Sequence, residues 1–172
     1  PSTIAASILG TVAEALTTEQ RFEKALESAL GTSLQYLVVE NRQAGLDAID
    51  FLRESDAGRG GFLPKEISGT GTQEAPKLEG TLGRAIDLVK VDSQYCKLAD
   101  VLLNSIYFVE SMEKATELLD SGVCENLPKT LLVSLDGDCV SQVGRVSGGA
   151  VRDGGVFAKQ REIRELEKKV EV

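Results

Sequence analysis

Two glycine-rich stretches of the sequence contain the residue types that can bind a phosphate. Residues 58–61 read GRGG and residues 68–72 read SGTGT, and backbone N–H groups in such turns can hold a phosphate at the start of a helix. Neither stretch has the spacing of a Walker loop or of a dinucleotide-binding fingerprint followed by a helix. We therefore interpret both as turns.

The acidic motifs favour structural roles over chemical ones. Residues 135–138 read LDGD, like the start of a calcium loop, but the twelfth position of that loop would be Ser147, where a Glu is required. We assign the two aspartates of this motif to a hairpin turn. Glu40 and Glu110 follow predicted strands at equivalent places, where a negative charge suits the start of a helix better than an acid–base pair.

The composition excludes several classes of function. Histidine is absent, which removes the commonest general base and zinc ligand. Cys96, Cys124 and Cys139 are too far apart for a C-x-x-C site, and we expect buried thiols in a reducing cytoplasm. No apolar run approaches the roughly 20 residues of a membrane helix. The first residues lack a Met and a charged n-region, so we expect the cut edge of a longer protein.

The net charge of −8 is unevenly distributed along the chain. Residues 1–144 hold 12 basic against 22 acidic side chains, whereas residues 145–172 hold 7 against 5. Any attraction to a polyanion is therefore expected at the C-terminal end.

The first part of the chain predicts a helix followed by strand, helix and strand. The helix is predicted over 17–31 and opens with a Thr17–Gln20 capping box. A buried strand over 34–40, a helix with Asn41 as its N-cap and a short strand over 60–64 complete the pattern.

The second part repeats this order. A helix over 92–104, a strand over 106–110, a helix capped by Ser111 and a strand over 130–135 follow one another. The chain therefore resembles two related α/β halves. Between them, residues 65–81 are rich in Gly, Thr and Pro without a period and are predicted to form a surface loop or linker.

Two shorter stretches of the second part also carry predictions. Residues 85–91, AIDLVKV, are predicted to be extended. Asp136 and Gly137 lie between two β-rich runs, which predicts a tight hairpin.

Two glycine pairs follow the hairpin, at residues 148–149 and 154–155. Paired glycines weaken a lone strand unless another backbone approaches closely, and a second copy of the chain would provide that backbone. A mobile loop leading to the next helix is the alternative.

The last segment is predicted to be a helix with a narrow apolar seam. Ile163, Leu166 and Val170 form this seam, which suits a coiled coil, and so polar a helix needs a partner. Basic side chains in this region are candidates for contact with a phosphate backbone, and an ordinary solvated helix is the alternative. They are Arg145, Arg152, Lys159, Arg161 and Arg164.

Taken together, these stretches closely resemble the hinge domain of bacterial-type SMC (structural maintenance of chromosomes) proteins. The resemblance covers nearly the whole chain and rests on the order and spacing of ILGTVAEAL, FEKALESALGTSLQYLVVEN, AIDFLRE, GRGGFLP, GRAIDLVKV, LLNSIYFVES, LVSLDGDCVSQVGRVSGG and GGVFAKQREIRELE. The glycine pairs match the paired glycines of that family. The C-x-x-C of the zinc-hook relatives is absent.

The resemblance implies a mixed α/β fold of two similar subdomains, at 1–80 and 81–157, with a coiled-coil arm starting at 158–172. It implies a two-fold, ring-shaped homodimer and no catalytic residue, metal or cofactor in this region. ATP and Mg²⁺ would belong to a head domain elsewhere in the protein. Carried over by position, the interface residues would be Gly148, Gly149, Gly154 and Gly155. The DNA contacts near the arm junction would be Arg152, Lys159, Arg161 and Arg164.

The function expected from the resemblance is a dimerisation hinge for chromosome condensation and segregation, in the cytoplasm and associated with the nucleoid. No membrane and no small-molecule substrate is expected, and DNA is a possible partner. One alternative is a nucleic-acid-binding module in its own right, whose affinity would fall steeply with salt. Another is a small-molecule enzyme, which would need a concave pocket lined by convergent polar groups.

Overall fold

The computed structural model describes residues 2–67, 74–127, 129–150 and 154–170, so the SGTGT stretch lies outside the described residues. The elements of the first half are α1 (Ser2–Ala6), β1 (Ile8–Thr11), α2 (Val12–Ala15), β2 (Leu16–Thr18), α3 (Glu23–Leu30), β3 (Leu37–Val39), α4 (Arg42–Glu54) and β4 (Phe62–Pro64). Those of the second half are β5 (Gly83–Arg84), α5 (Ala85–Leu88), β6 (Val89–Val91), α6 (Cys96–Leu103), β7 (Ile106–Val109), α7 (Met112–Asp120), β8 (Leu131–Ser134), β9 (Cys139–Ser141) and β10 (Val146–Ser147). The last element is the helix α8 (Val156–Val170).

The two halves repeat one order of elements. From β1 to β4 and again from β5 to β8, the chain runs strand, short helix, strand, helix, strand, helix, strand. β3 lies parallel to β4 and antiparallel to β1, and β7 lies parallel to β8 and antiparallel to β5. The predicted fold class, two similar α/β halves, is confirmed. The boundaries at 80 and 157 stay a prediction, and α8 begins at Val156.

Three sheets organise these elements. The first half forms a sheet in the order β1-β3-β4, and the second half forms one in the order β10-β9-β8-β7-β5. A two-stranded ribbon of β2 and β6 joins the halves, with Thr17 directly opposite Lys90. These two residues hold the same place in the repeat, so the ribbon lies where the halves are related to each other.

The same ribbon explains why the predicted Thr17–Gln20 capping box is wrong. Thr17 pairs in β2, a short 3-10 turn over Gln20–Phe22 follows, and α3 begins only at Glu23. The capping box lies earlier, where Thr11 and Glu14 bond to each other's backbone N–H groups at the start of α2. Strand pairing between the halves, which local spacing does not reveal, outweighs the capping preference of Thr17.

The prediction for residues 85–91 is half right. Val89–Val91 form the strand β6, but Ala85–Leu88 form the helix α5, which was predicted to be extended. The equivalent α2 of the first half is also a single helical turn between two strands. A helix of one turn has too few residues to show a period of 3.6 in the sequence.

One hydrophobic core is shared by both halves. Phe22 from the first half stacks on Phe108 from the second, with ring centroids 5.3 Å apart. Phe157 of α8 is buried in the same cluster. A second cluster around Tyr107 and Leu132 covers the other face of the five-stranded sheet, so that sheet is buried on both sides.

Part of the predicted surface loop over 65–81 is instead packed against the second half. The buried guanidinium of Arg84 donates to the Ala75 carbonyl over 2.5 Å and pairs with Glu74. The Tyr107 hydroxyl donates to the Pro76 carbonyl over 2.7 Å. Burial of Arg84 requires such acceptors, and the loop backbone supplies one of them.

The cysteines do not all match the predicted burial. Cys124 and Cys139 are buried, and burial raises the pKa of both thiols, whereas Cys96 is exposed at the start of α6. A thiol reagent therefore reaches Cys96 first, because the thiolate is the reactive form and the other two thiols are shielded.

The predicted helix caps of the two halves are both confirmed. Asn41 accepts from the Ala44 backbone N–H over 2.9 Å, and Ser111 accepts from the Lys114 backbone N–H over 3.3 Å. These equivalent caps begin α4 and α7 directly after a buried strand.

We expect the Asn41→Ala and Ser111→Ala variants each to lower the free energy of unfolding by about 1 kcal/mol, because each leaves a first-turn N–H group without its acceptor. Urea unfolding followed by circular dichroism measures the loss. The controls Asn41→Asp and Ser111→Asp keep an acceptor and should retain wild-type stability. Alanine variants with wild-type midpoints would show that these caps contribute nothing.

Candidate functional site

The candidate site begins at the outer edge of the five-stranded sheet. β10 pairs with β9 on one side only, with Val146 opposite Val140, and no strand among the described residues pairs with its other side. Val146 is 68% exposed. An exposed edge with an apolar side chain is a template for another strand.

The direction of the main-chain groups follows from the pairing of β10. Ser141 donates its N–H to the Arg145 carbonyl over 2.9 Å, so Arg145 faces β9. Because successive residues of a strand face opposite sides in the sheet plane, the N–H and C=O groups of Val146 point to the free edge. Gly148 directly follows the last paired residue of β10.

The first glycine pair packs against the β8–β9 hairpin. Gly149 has a φ of 128° and donates its N–H to the Asp138 carboxylate over 2.9 Å. A Cβ atom on Gly148 would overlap that carboxylate. The hairpin forms as predicted, with Gly137 at a φ of 90°, and its Asp138 side chain bonds to the chain after β10.

The second glycine pair precedes α8. Gly154 has a φ of 90°, which favours glycine, and the Gly155 carbonyl accepts the first helical bond, from the Lys159 N–H. A Cβ atom on Gly155 would overlap the carboxylate of Glu27 in α3. The close approach at Gly155 is thus made to the same chain.

The four predicted DNA contacts do not form one free basic patch. Arg161 pairs with Glu23 over 2.5 Å, and Arg164 donates to the Thr17 hydroxyl over 3.2 Å. Lys159 is exposed, and residue 152 lies outside the described residues. Two of the four cations are therefore already engaged within the chain.

A second free edge lies in the first half, at β4. Leu37 donates to the Gly61 carbonyl, and Lys65 donates to the Val39 carbonyl, so the residues at 61, 63 and 65 face β3. Phe62 and Pro64 alternate with them and face outward, where no described strand pairs. Because Pro64 has no N–H, this edge offers mainly acceptors.

An apolar groove of about 240 Å³ adjoins β4. Phe62 and Leu37 line it from the sheet, Phe51 lines it from α4, and Ile4 lines it from α1. In the second half, the strand β8 occupies the place equivalent to β4 and is covered by β9. The free edge therefore marks a place in the first half that lacks the covering strand, and the groove lies on the adjoining face of the sheet between α1 and α4.

The glycines of the GRGG stretch serve packing beside this edge. A Cβ atom on Gly61 would overlap the Tyr36 ring, and one on Gly60 would crowd Phe62. The interpretation of this stretch as a turn stays a prediction. Glu40 pairs with Lys65 over 2.7 Å, and this bond raises the pKa of the Lys65 ammonium.

A cavity of about 670 Å³ lies between α3, the β8–β9 turn and the start of α8. Both of its arginines have partners: Arg161 pairs with Glu23, and Arg21 pairs with Glu19 outside the cavity. No group of three or more His, Cys, Asp and Glu side chains in the described ranges is placed to hold a metal ion. No helix in those ranges is long and apolar enough to cross a membrane.

Several residues of this site carried no signal in the sequence. Glu23 and Glu27 lie one turn apart in a helix predicted only as amphipathic, and their contacts to α8 join residues 138 and 130 positions apart. Asp138 was assigned to the turn alone. Contacts at such separations are set by tertiary packing and have no local pattern.

Comparisons with known proteins identify the family of the chain. A family model of the flexible hinge domain of SMC proteins matches residues 5–119. The chromosome partition protein Smc of Bacillus subtilis is 31% identical over 176 residues and 95% of this chain, and that of Fusobacterium nucleatum is 32% identical over 156 residues and 88% of this chain. The chain spans 14% and 13% of the length of these two relatives, respectively.

Two solved structures have a similar fold. An asymmetric dimer of the Geobacillus stearothermophilus SMC hinge domain matches with a TM-score of 0.81 and 30% identity, over 96% of this chain and 67% of that chain. The Pyrococcus furiosus SMC hinge domain matches with a TM-score of 0.69 and 25% identity, over 90% of this chain and 81% of that chain. Because the family model covers well over half of the residues, the chain belongs to the hinge domains of SMC proteins, which are non-catalytic.

Proposed function

We propose that this chain is the homodimerisation hinge of an SMC chromosome condensation and segregation ATPase and joins two coiled-coil arms. The observation that carries the proposal is that β10 ends the five-stranded sheet and β4 ends the three-stranded sheet, so that each of these two strands has an unpaired edge among the described residues. ATP and Mg²⁺ would bind in head domains outside this chain. The whole protein would lie in the cytoplasm, associated with the nucleoid.

In the proposed dimer, β10 of each copy pairs with β4 of the other. The two contacts are equivalent by two-fold symmetry and close a ring. Each contact would continue the five strands of one copy into the three strands of its partner. The asymmetric dimer of the Geobacillus stearothermophilus hinge domain supports dimerisation by analogy.

Apolar packing supports the main-chain pairing. Val143 and Val146 are exposed on and beside β10, and the groove beside β4 is lined by apolar side chains such as Phe51 and Phe62. Bringing these surfaces together removes apolar area from water, which is the main driving force of association. Exposed valines and an apolar groove are thus complementary features of the two edges.

All four glycines remain interface residues in this proposal, but they would act in different ways. Gly148 would extend the free edge directly after β10, and Gly149 holds the chain beside it through its bond to Asp138. Gly154 and Gly155 lie at the start of α8, where Gly155 makes room for Glu27 of its own chain. A substitution at Gly155 therefore acts first on the single chain.

The arm would begin with α8. Phe157, Arg161 and Arg164 follow one another at a three–four spacing and contact the first half. The predicted seam of Ile163, Leu166 and Val170 lies on another face of the helix and is exposed. An exposed apolar seam on a polar helix suits a second arm helix.

The proposed DNA contact near the arm junction is weak. Lys159 is exposed and available, whereas Arg161 and Arg164 would first have to leave Glu23 and Thr17. The acidic surroundings, with a net charge of −8 for the chain, oppose a polyanion.

We expect Val146→Asp to weaken dimerisation by about tenfold or more, because it places a charge at the paired edge. Sedimentation equilibrium over a concentration series gives the dimer dissociation constant. Val123→Asp is the matched control, since Val123 is exposed but lies outside both edges. Wild-type affinity in the Val146→Asp variant would contradict edge pairing.

We expect Gly155→Ala and Glu27→Ala each to lower the free energy of unfolding by about 1 kcal/mol, because each removes the Glu27 cap from α8. The double variant should lose little more than either single variant. Urea unfolding at one protein concentration measures all three. Fully additive losses would show that Gly155 does not act through Glu27.

We expect Lys159→Ala to weaken DNA binding at low salt and to reduce the salt slope by about one. Fluorescence anisotropy with labelled single- and double-stranded DNA measures both quantities. Lys97→Ala, an exposed lysine on α6, is the control. A flat titration of the wild-type chain would remove DNA from the proposal.

A further inference from the structure

Helix α8 is connected to one half of the chain and packs on the other. The chain enters α8 from β10 in the second half, but the first turns of α8 lie against α3 and β2 of the first half. Phe157 is 1% exposed and belongs to the core that both halves share. The start of this helix is therefore held by contacts with the first half, to which it is not directly connected.

The N-terminus of α8 is capped by a side chain of α3. Gly155 occupies the capping position, since its carbonyl accepts from the Lys159 N–H, but it has no side chain to offer. The Glu27 carboxylate takes that role and accepts from the Phe157 N–H over 2.8 Å. A negative charge at this end is favoured by the helix dipole as well as by the free N–H groups.

A second acidic residue of α3 binds the next turn of α8. Glu23 lies one turn before Glu27 on the same face of α3 and is only 8% exposed. It pairs with Arg161, one turn after Phe157. A buried carboxylate is costly without a partner, so Glu23 holds Arg161 at one place.

The next turn of α8 reaches the seam between the halves. Arg164 donates to the hydroxyl of Thr17, whose backbone pairs with Lys90 in the β2–β6 ribbon. Three successive turns of α8 thus contact the first half: the cap at Phe157, the ion pair at Arg161 and the hydrogen bond at Arg164.

We propose that Glu23 and Glu27 are arm-positioning residues, which set the direction in which α8 leaves the domain. Because α8 is joined to the second half and bound to the first, any movement of the halves against each other also turns this helix. Arg161 is the partner of Glu23 in this role. The inference deepens the proposed function, since it takes α8 as the start of an arm.

The test measures the direction of α8 by pulsed electron paramagnetic resonance. Spin labels are attached at Thr32→Cys, on the exposed turn after α3, and at Lys168→Cys near the end of α8, in a Cys96→Ser background. Mixing with excess unlabelled chain leaves one labelled copy per dimer. The otherwise wild-type chain should give one narrow distance peak.

Charge reversal at either partner should abolish that narrow peak. Glu23→Arg and Arg161→Glu each place like charges together, and the double variant Glu23→Arg/Arg161→Glu should restore the narrow peak. Glu27→Ala should broaden the distance peak even though the Glu23–Arg161 pair is intact in that variant. If Glu23→Arg does not fold, Arg161→Gln at the less buried partner gives the same test.

A surface pair on α4 supplies the matched control. Asp50 and Arg53 are ion-paired at 2.8 Å and are both largely exposed, so Asp50→Arg and Arg53→Glu should leave the peak unchanged. A narrow wild-type peak in the folded Glu23→Arg, Arg161→Glu and Glu27→Ala variants would overturn the proposal. So would a double reversal that stays as broad as the single ones. Sedimentation of the same samples reports dimerisation separately, so a monomer with a fixed α8 would count against the proposed dimer alone.

Discussion

The stacking of Phe22 on Phe108 is the contact on which the other features of the molecule depend. It lies in a core to which both halves and α8 contribute buried side chains, so neither half encloses a core of its own in this cluster. The β2–β6 ribbon adds main-chain bonds across the same boundary. A common core of this kind keeps the two larger sheets in one arrangement and therefore also fixes the edge at β10 relative to the edge at β4.

The two halves of the chain differ at the equivalent strands β4 and β8. β8 is covered by β9 and β10, whereas its equivalent β4 has no covering strand in the described residues. The two edges of one chain are consequently different, and a contact between unlike edges must occur twice in a two-fold dimer. The difference between the halves, more than their likeness, is what suits the chain to a closed pair.

The sequence predicted those parts of the fold that depend on local chemistry. The caps at Asn41 and Ser111, the hairpin at Gly137 and the repeated order of strands and helices were all recoverable from spacing. The capping box at Thr17 was wrong, because Thr17 pairs with Lys90. That residue lies 73 positions away in the chain, so the pairing gives no signal in the local sequence. The exposure of Cys96 and the packing of Ala75 against Arg84 were missed for the same reason. At the candidate site, the glycine pairs were visible in the sequence, but the acidic groups that Gly148 and Gly155 approach were not.

The proline of β4 bears on how the proposed dimer avoids polymerising. Unlike edges that meet head to tail can in principle add copies without end and form a filament. With no N–H at Pro64, a single junction has few hydrogen bonds, whereas a closed pair makes two junctions at once and gains from the high effective concentration of the second. A poor edge thus favours ring closure over chain growth.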